Sequence, residues 1–371
     1  MGAVTAYGRG LARVGDALVR GESALRTFTR FPLPGSGEVK LSTFPDDVAG
    51  TLSPAALHGW VDDAIAEAAG QARNFSFHDC ALVIGTSGYL FLAEATYCAT
   101  HAAGSDAALP QLTSPGQLAR EIAQRHGIDG PVLTVSTACS SSANAVLLAR
   151  DLIARGRAQR ALVLGIEAFS RIALGGFQAL MLLDPDGCKP FDAQRRGLQL
   201  GEAVVALMLD AQGAAHEPQL LGGANLCDIH HVTSASPDGA AMLRAMCQAL
   251  ADAGIEPQDV VAVKAHGTGS LDNDQAEAAA LRGLFGDAPP PIAALKRYVG
   301  HALGACGALE IASLTAGLAL NTLPAALGCE TPDPALGIVP LRHTVPAPRG
   351  PYLYNFFGFG GNYAALVLRH A

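Results

Sequence analysis

The stretch PVLTVSTACSSSANAVLLARDLIARGRAQRALVLGIEA, residues Pro131–Ala168, decides the fold prediction for this chain. It contains an apolar run at Val132–Val135, a turn of small residues, a helical segment and a second apolar run at Ala161–Ile166. We therefore expect a strand–turn–helix–strand unit, which is the repeating element of α/β proteins. Cys139 lies in the turn, where the strand passes into the helix.

The position of Cys139 allows two interpretations. A thiol at a helix N-terminus faces unpaired backbone N–H groups and the positive end of the helix dipole, so we expect a lowered pKa and a reactive thiolate. Free cysteine is also common as a small core residue, and a buried cysteine in a tight turn is the plainer interpretation. Cys139 by itself does not decide between them, because a nucleophile needs a partner base elsewhere in the chain.

The rest of the chain alternates apolar runs with helical segments, which predicts an α/β fold with largely parallel sheets. Its two halves follow the same plan, and we place the division between residues 1–210 and 211–371. Further strands are predicted at Ala81–Ile84, Ala203–Asp210, Val260–Val263, Ile292–Ala294 and, as a pair, within Tyr352–Leu368. Helices are predicted at Leu11–Leu25, Ala55–Ala72, Gly239–Gly254, Asp274–Leu284 and Gly304–Leu320.

Composition excludes several classes of protein. Half of the residues are apolar and only 16% are charged, so the chain buries a large core or covers apolar surface with a partner. A net charge of −8 without a basic block argues against nucleic-acid binding. The eight cysteines form no C-x-x-C pair, which argues against a metal site and favours reduced thiols in a cytoplasmic protein. The apolar run Ile311–Leu327 is short for a membrane span, so we expect a soluble protein.

Three further segments carry candidate chemistry: K-A-H-G-T-G-S at Lys264–Ser270, Lys296–Gly307 with its histidine at His301, and N-F-F-G-F-G-G at Asn355–Gly361. In each segment a polar side chain directly follows an apolar strand and lies next to glycines. The end of a strand is where side chains emerge from a sheet and can reach a ligand. A lone histidine there would more often be structural, but two histidines and a candidate nucleophile in the same setting favour a catalytic site. Phosphate binding is the weaker interpretation, because no G-x-G-x-x-G helix start or Walker sequence is present.

Taken together, six segments resemble the β-ketoacyl–acyl carrier protein synthases, the elongating condensing enzymes of the thiolase superfamily. The segments are T-A-C-S-S-S at Thr137–Ser142, P-F-D-x-x-R-x-G at Pro190–Gly197, D-I-H-H-V-T-S at Asp228–Ser234, A-H-G-T-G-S with N-D-x-x-E at Ala265–Glu277, K-x-x-x-G-H-x-x-G-A-x-G at Lys296–Gly307, and N-F-F-G-F-G-G at Asn355–Gly361. The resemblance implies a thiolase-like fold, in which duplicated βαβαβ halves form α-β-α-β-α layers.

The resemblance also implies catalytic roles for individual residues. Cys139 would accept an acyl chain as a thioester, and its oxyanion would sit on the backbone N–H groups of Cys139 and Phe359. His266 and His301 would bind the malonyl thioester, promote its decarboxylation and hold the resulting enolate oxygen. Lys296, paired with Glu277, would order this polar network.

Other residues would bind substrate and control access. Thr268 and Ser270 match hydroxyls that hydrogen-bond the pantetheine arm. Phe359 matches a gate over the acyl pocket. The supporting residues expected to move with it are Gly358, Gly360 and Gly361 as its hinge, with Asp228 and His231 on a second loop. Phe357 is a further candidate substrate-binding residue. Gly176 and Phe177 are candidate pocket residues, and plain core positions are an equally good interpretation of these two.

The predicted reaction is decarboxylative condensation of the Cys139-bound chain with malonyl-[acyl carrier protein], in fatty-acid or polyene/polyketide synthesis. The expected partners are acyl carrier protein and a second subunit, identical or related. We expect no prosthetic group and no metal, because substrates arrive on the carrier's phosphopantetheine arm. The alternative is a non-catalytic chain-length subunit, which typically lacks the cysteine that is present here as Cys139. A thiolase-type enzyme acting on coenzyme A esters would need a catalytic cysteine near the C-terminus, and Cys329 is not in such a motif.

The chain also departs from the family pattern. The opening apolar strand before Gly2–Thr5 is missing or shortened, which predicts a start upstream of Met1 or a different local fold. The segment between Leu41 and Ala81 is short, and Asn362-Tyr363 and His230 replace the usual residues near the gate. These changes put acyl-chain specificity in question and suggest secondary metabolism.

Overall fold

The structure is a computed structural model, and it describes residues 1–29, 39–49, 53–72, 76–88, 91–95, 97, 114–214 and 217–371. Part of the chain between residues 33 and 56, namely residues 33–38 and 50–52, lies outside the described residues. So do residues 98–113, which include Cys98.

Helices and strands alternate along the chain, as the sequence predicts. The helices are α1 Leu11–Arg20, α2 Asp46–Ala49, α3 Pro54–Gln71, α4 Pro115–His126, α5 Ser141–Ala154, α6 Arg171–Ala179, α7 Ala240–Ala253, α8 Leu271–Phe285, α9 Lys296–Val299 and α10 Cys306–Ala319. The strands are β1 Gly2–Thr5, β2 Gly8–Arg9, β3 Arg26–Thr27, β4 Lys40–Leu41, β5 Cys80–Gly85, β6 Val132–Val135, β7 Arg160–Glu167, β8 Ala203–Asp210, β9 Gln219–Cys227, β10 Ala262–Ala265, β11 Ile292–Ala294, β12 Thr322–Leu323, β13 Val345–Pro346, β14 Gly350–Phe357 and β15 Asn362–His370.

Two large sheets are built from successive parts of the chain. The first has the strand order β2-β1-β8-β7-β5-β6 and the second has the order β11-β10-β14-β15-β9. Strand β5 is parallel to β6 and β7, and β10 is parallel to β11 and β14. The pairs β7–β8, β1–β8, β14–β15 and β15–β9 are antiparallel.

The prediction of largely parallel sheets was therefore wrong, since both sheets are mixed. The hairpin β14–β15 gives the clearest physical reason. Only residues 358–361 join its strands, and a connection that short can only produce an antiparallel pair, because parallel neighbours need a long crossover.

The layers follow the α-β-α-β-α order that the resemblance implied. Helices α3 and α4 pack with the outer face of the first sheet, and α7 and α8 pack with the outer face of the second. Helices α5 and α10 lie between the sheets in the central apolar cluster. They approach closely at Gly307, where a Cβ would lie 2.2 Å from the Ala143 nitrogen. This contact brings the start of α10 beside the turn that carries Cys139.

Several predicted boundaries shift for identifiable reasons. Strand β1 is present, with four buried residues paired to β8 and β2. Helix α1 ends at Arg20, before the predicted Leu25, because the chain turns away and the Ala24 N–H donates to the Tyr298 carbonyl at 2.9 Å. Strand β10 starts two residues later than predicted, because Pro257–Asp259 form a 3₁₀ turn.

Among the described helices, none is both long enough and apolar enough to cross a membrane. The described cysteines are free thiols: Cys80, Cys139, Cys188, Cys227, Cys247, Cys306 and Cys329.

Candidate active site

Cys139 sits on a sharp turn between β6 and α5. Ala138, the residue before it, has a φ of 52°, a left-handed conformation that costs energy for a residue with a Cβ. The Ser141 hydroxyl holds the turn by accepting from the Thr137 N–H at 2.9 Å and donating to the Ala138 carbonyl at 2.6 Å. The side chain of Cys139 is 5% exposed and lines a cavity of about 360 Å³.

The predicted lowering of the Cys139 pKa was wrong in direction. Burial raises the pKa of this thiol to about 11, which outweighs the opposing effects of Lys296 and of the backbone N–H groups of Phe359 and Cys139. The resting side chain is therefore a protonated thiol. Those two backbone N–H groups nevertheless act to lower the thiol pKa, and they are the pair that the resemblance assigns to the thioester oxyanion.

His266 and His301 lie side by side in the same cavity as Cys139. His266 follows β10 and His301 follows α9, and their ring centroids are 5.5 Å apart with the ring planes at 88°. Both rings are buried, at 1% and 2% exposure. Burial, reinforced by the positive charge of Lys296, lowers the pKa of each imidazole well below its ordinary value. Both histidines are therefore neutral at physiological pH.

Each imidazole is held through its Nδ1 atom. The His266 Nδ1 lies 3.4 Å from the Lys296 Nζ, and the His301 Nδ1 lies 2.9 Å from the Cys306 Sγ. Among the described residues neither Nε2 atom has a hydrogen-bond partner. Although the rings are largely buried, each Nε2 atom keeps some accessible surface. Because both rings line the cavity, Nε2 is the nitrogen that each ring presents to it.

Lys296 pairs with Glu310 and not, as predicted, with Glu277. Its ammonium contacts a Glu310 oxygen and also donates to the His266 carbonyl at 3.2 Å. Glu277 is occupied elsewhere, since it accepts from the His266 and Gly267 N–H groups at 2.7 and 2.8 Å. It also accepts from the Asn355 side chain at 3.0 Å. Glu277 thus fastens the backbone of the His266 turn, while Glu310 reaches the lysine from α10, between the sheets.

A second buried lysine, Lys264, was not among the predicted site residues. Its ammonium contacts the other oxygen of Glu310, donates to the Asn355 carbonyl at 2.5 Å and lies 3.7 Å from the Phe356 ring centroid. Burial lowers the pKa of Lys264 to about 8 despite the carboxylate. Desolvation is the largest single effect on Lys296 and lowers its pKa, but the charge and hydrogen bond of Glu310, together with the nearby thiols of Cys306 and Cys139, outweigh it and raise the pKa of Lys296.

The sequence did contain a signal for this cluster. Lys264 interrupts an apolar strand, and Glu310 is a lone charge in an apolar helix. Buried charges in such elements must be paired, so each predicts an opposite charge nearby.

Glu167 is a third buried carboxylate beside the site, after Glu277 and Glu310, and the sequence motifs did not identify it. It ends β7, is 4% exposed, and accepts from the Ser87 and Gly304 N–H groups at 3.0 and 3.1 Å. Burial raises the pKa of Glu167 to about 7. It joins the segment after β5 to the turn that follows His301, and no motif in the sequence signals that role.

The glycine-rich loop after β14 closes over Cys139. At Gly358 a Cβ would lie 3.0 Å from the Cys139 nitrogen, and the Phe359 ring stacks on Phe177 at 5.7 Å between centroids. The loop is also fastened to the 228–234 segment, because the Gly360 N–H donates to the Val232 carbonyl at 2.7 Å. The two loops that are expected to move together are therefore in direct contact.

Gly361 and Asp228 make the tightest part of that contact. The Asp228 N–H donates to the Gly361 carbonyl at 2.9 Å. A Cβ at Gly361 would lie 2.0 Å from the Asp228 carbonyl oxygen, and the φ of Gly361 is 68°. Only glycine fits there.

The predicted substrate-binding residues fall into two groups. Thr268, Ser270, Phe177 and Phe357 line the cavity, and the two hydroxyl oxygens are 2.9 Å apart. His231 also lines the cavity. Gly176 does not line the cavity. It lies on the exposed side of α6, and a Cβ placed there would have no neighbouring atom within 4 Å. Its prediction as a pocket residue was wrong, because that face of the helix points away from the cavity.

Comparison with known families agrees with the geometry. Residues 54–215 match the family described as "Beta-ketoacyl synthase, N-terminal domain". Residues 220–330 match "Beta-ketoacyl synthase, C-terminal domain".

Curated relatives carry matching names. The chain is 34% identical over 271 residues to "Putative polyketide beta-ketoacyl synthase 1" of Streptomyces cyaneus, covering 69% of this chain and 64% of the relative. It is 34% identical over 276 residues to "3-oxoacyl-[acyl-carrier-protein] synthase 2" of Rhizobium meliloti, covering 69% of this chain and 65% of the relative. The match thus spans slightly less than two thirds of the length of these relatives.

Solved structures match over the full chain. A ketosynthase in complex with its chain length factor from Xenorhabdus doucetiae superposes with a TM-score of 0.81 at 28% identity, covering 100% of this chain and 96% of that one. A β-ketoacyl synthase from Burkholderia phymatum superposes with a TM-score of 0.82 at 26% identity, covering 100% and 98%.

Proposed function

The chain belongs to the β-ketoacyl synthase family, and we propose that it catalyses the decarboxylative condensation of an acyl chain on Cys139 with malonyl-[acyl carrier protein]. The product would be a β-ketoacyl-[acyl carrier protein], made in polyketide or fatty-acid synthesis. The observation that carries this proposal is the convergence on one cavity of a thiol, two backbone N–H groups that act on its pKa and two neutral imidazoles.

The first half-reaction transfers the acyl chain to the enzyme. The Cys139 sulfur attacks the thioester carbonyl of the acyl-carrier substrate, and a tetrahedral oxyanion develops. The N–H groups of Cys139 and Phe359 stabilise this charge in a site shielded from water. The S–C bond to pantetheine then breaks, and the thiol proton leaves with the pantetheine sulfur. Because burial raises the pKa of Cys139, its proton departs during the attack and not before it.

The second half-reaction forms the carbon–carbon bond. The carboxyl C–C bond of the malonyl thioester breaks, CO2 leaves, and its electron pair becomes an enolate. Two Nε2–H donors, from His266 and His301, hold the enolate oxygen. The enolate carbon attacks the Cys139 thioester, the S–C bond breaks, and the cysteine sulfur leaves as a thiolate that takes a proton from solvent water. Neutral imidazoles suit this step, because each keeps an N–H donor while its other nitrogen is engaged.

We propose two partners for the chain. Acyl carrier protein would deliver both substrates on a phosphopantetheine arm, which Thr268 and Ser270 would hydrogen-bond. A second synthase subunit, identical or related, would complete the assembly, as in the ketosynthase and chain length factor complex to which this chain is similar. A purely non-catalytic role as the chain-length subunit is the less favoured alternative, because the proposed nucleophile and both imidazoles are present.

The decisive experiment separates the two half-reactions. Incubation with acyl-[acyl carrier protein] should add the acyl mass to the wild-type chain and add nothing to Cys139→Ala. Condensation by Cys139→Ala would contradict the proposal. The exposed Cys247, replaced by alanine, is the control for loss of a thiol as such.

His301→Ala tests the division of roles. This variant should still be acylated at Cys139 but should release little CO2 from malonyl-[acyl carrier protein]. Equal loss of both half-reactions would argue against an enolate role for His301. Mass spectrometry of the acyl chain trapped on Cys139 in cells would identify the chain length.

A further inference from the structure

Cys306 is a buried thiol that the proposed reaction does not use. It is the first residue of α10, it has no exposed surface, and it occupies an undefined position in the K-x-x-x-G-H-x-x-G-A-x-G pattern. Its Sγ lies 2.9 Å from the His301 Nδ1. The 3₁₀ turn Leu303–Ala305, with Leu303 at a φ of 38°, folds the chain back so that the thiol faces the ring five residues earlier.

The backbone of His301 is fixed independently of this contact. Its N–H donates to the Gln199 carbonyl at 2.6 Å, and its carbonyl accepts from the Gly201 N–H at 3.0 Å. The remaining freedom is the orientation of the ring and the nitrogen that carries its proton. Among the described residues the Cys306 sulfur is the sole partner of the His301 ring nitrogens, so it controls both.

Both groups in this contact are neutral. Burial raises the pKa of the Cys306 thiol and lowers the pKa of the His301 imidazole. Imidazole nitrogen is a good acceptor, whereas thiol sulfur is a weak one. If Nδ1 carried the proton, the thiol hydrogen would have no acceptor among the described residues. The arrangement that satisfies both groups is therefore S–H donating to Nδ1.

We propose, building on the proposed function, that Cys306 is a positioning residue that holds His301 as the Nε2–H tautomer. His266 is held in the matching way, with its Nδ1 facing the Lys296 ammonium at 3.4 Å. Two different donors, a thiol and an ammonium, thus set two equivalent imidazoles with Nε2–H directed into the cavity. Cys306 acts through His301 and touches no substrate atom.

The matched variants are Cys306→Ala, which removes the donor, and Cys306→Ser, which keeps one. Cys80→Ala is the control, because Cys80 is equally buried but its sulfur faces backbone groups, donating to the Ala81 carbonyl at 3.5 Å, and not an imidazole. Complete loss of an oxyanion donor costs roughly 100- to 1,000-fold in kcat. Cys306→Ala keeps the His301 imidazole but removes the hydrogen bond that fixes its ring orientation and tautomer. We therefore expect kcat for malonyl decarboxylation to fall about tenfold, with KM and Cys139 acylation unchanged. Cys306→Ser should stay within about twofold of wild type.

NMR of the full chain labelled with ¹⁵N-histidine reports the tautomer of His301 directly. The tautomer would not change in the Cys306 variants if Cys306 only filled space in the core. The His301 signal, identified by its absence in His301→Gln, should show the Nε2–H tautomer in wild type and Cys306→Ser. In Cys306→Ala it should shift toward a tautomer mixture. An Nδ1–H or imidazolium signal in wild type would overturn the proposal, as would full decarboxylation with an unchanged tautomer in Cys306→Ala. If wild type neither acylates Cys139 nor releases CO2, the proposed function fails, while the NMR result still decides the tautomer.

Discussion

Replacing Lys264 with methionine should stabilise this protein at neutral pH. Lys264 and Lys296 are fully buried and share the single carboxylate of Glu310, while Glu277 acts only at longer range. Burial lowers the pKa of Lys264 from 10.5 to about 8. A difference of one in pKa corresponds to about 1.4 kcal/mol, so keeping Lys264 charged in the folded state costs about 3 kcal/mol.

The variant also loses a favourable contact. The Lys264 ammonium donates to the Asn355 carbonyl, and a hydrogen bond of this kind contributes about 1 kcal/mol net. Glu310 keeps Lys296 as its partner, so no buried charge is left unpaired. We therefore expect Lys264→Met to raise the free energy of unfolding by about 2 kcal/mol at pH 7.

The stability difference between Lys264→Met and wild type should depend on pH. A lowered folded-state pKa means that the unfolded chain binds more protons between pH 8 and pH 10.5, so wild-type stability due to this group rises across that window. Below pH 8 the cost is fully present. The advantage of Lys264→Met should therefore be largest at pH 7 and should shrink as the pH approaches 10.5.

Urea unfolding at a series of pH values measures both effects, with Lys40→Met, on the partly exposed strand β4, as the control for loss of a lysine. A Lys264→Met variant that is less stable than wild type by more than about 1 kcal/mol at pH 7 would refute the reasoning, because the pair would then stabilise the fold. A stability difference that does not change with pH would refute the assignment of the titrating group.

Three further predictions test the same site. Glu310→Gln leaves two buried ammoniums without a carboxylate and should destabilise the fold by about 3–5 kcal/mol in urea unfolding; a change below about 1 kcal/mol would contradict this. Because burial raises the pKa of Cys139 to about 11, its alkylation by iodoacetamide, followed by mass spectrometry, should accelerate steadily from pH 7 to pH 10; a plateau near pH 7 would show a pre-formed thiolate. Gly361→Ala should slow acylation and should destabilise the fold more than the control Gly254→Ala. Both glycines have left-handed φ values, 68° and 63°, but only at Gly361 would the new Cβ collide with a carbonyl, that of Asp228. Equal losses of stability would argue against the loop contact.

Much of the fold was predictable because it depends on local pattern. The strand Val132–Val135 and the buried helix after Cys139 follow from apolar periodicity, and the structure places them where the pattern does. Strand direction was less accessible. Apolar runs look alike in parallel and antiparallel sheets, so antiparallel pairs such as β7–β8 and β15–β9 became clear only from the structure.

The sequence by itself determined which residue types could carry the chemistry, namely one thiol after a strand and two histidines beside glycines, because those signals lie within short segments. Tertiary structure decided which groups meet. Glu277 was the natural partner for Lys296 in the sequence, yet Glu310 takes that role from a helix that crosses between the sheets. Tertiary structure also decided the charge of Cys139. A helix N-terminus lowers a thiol pKa, but enclosure in the protein interior raises it, and here the effect of enclosure is larger. The physical reason is that desolvation and ion pairing depend on everything packed around a group, and packing joins residues that are distant in the chain.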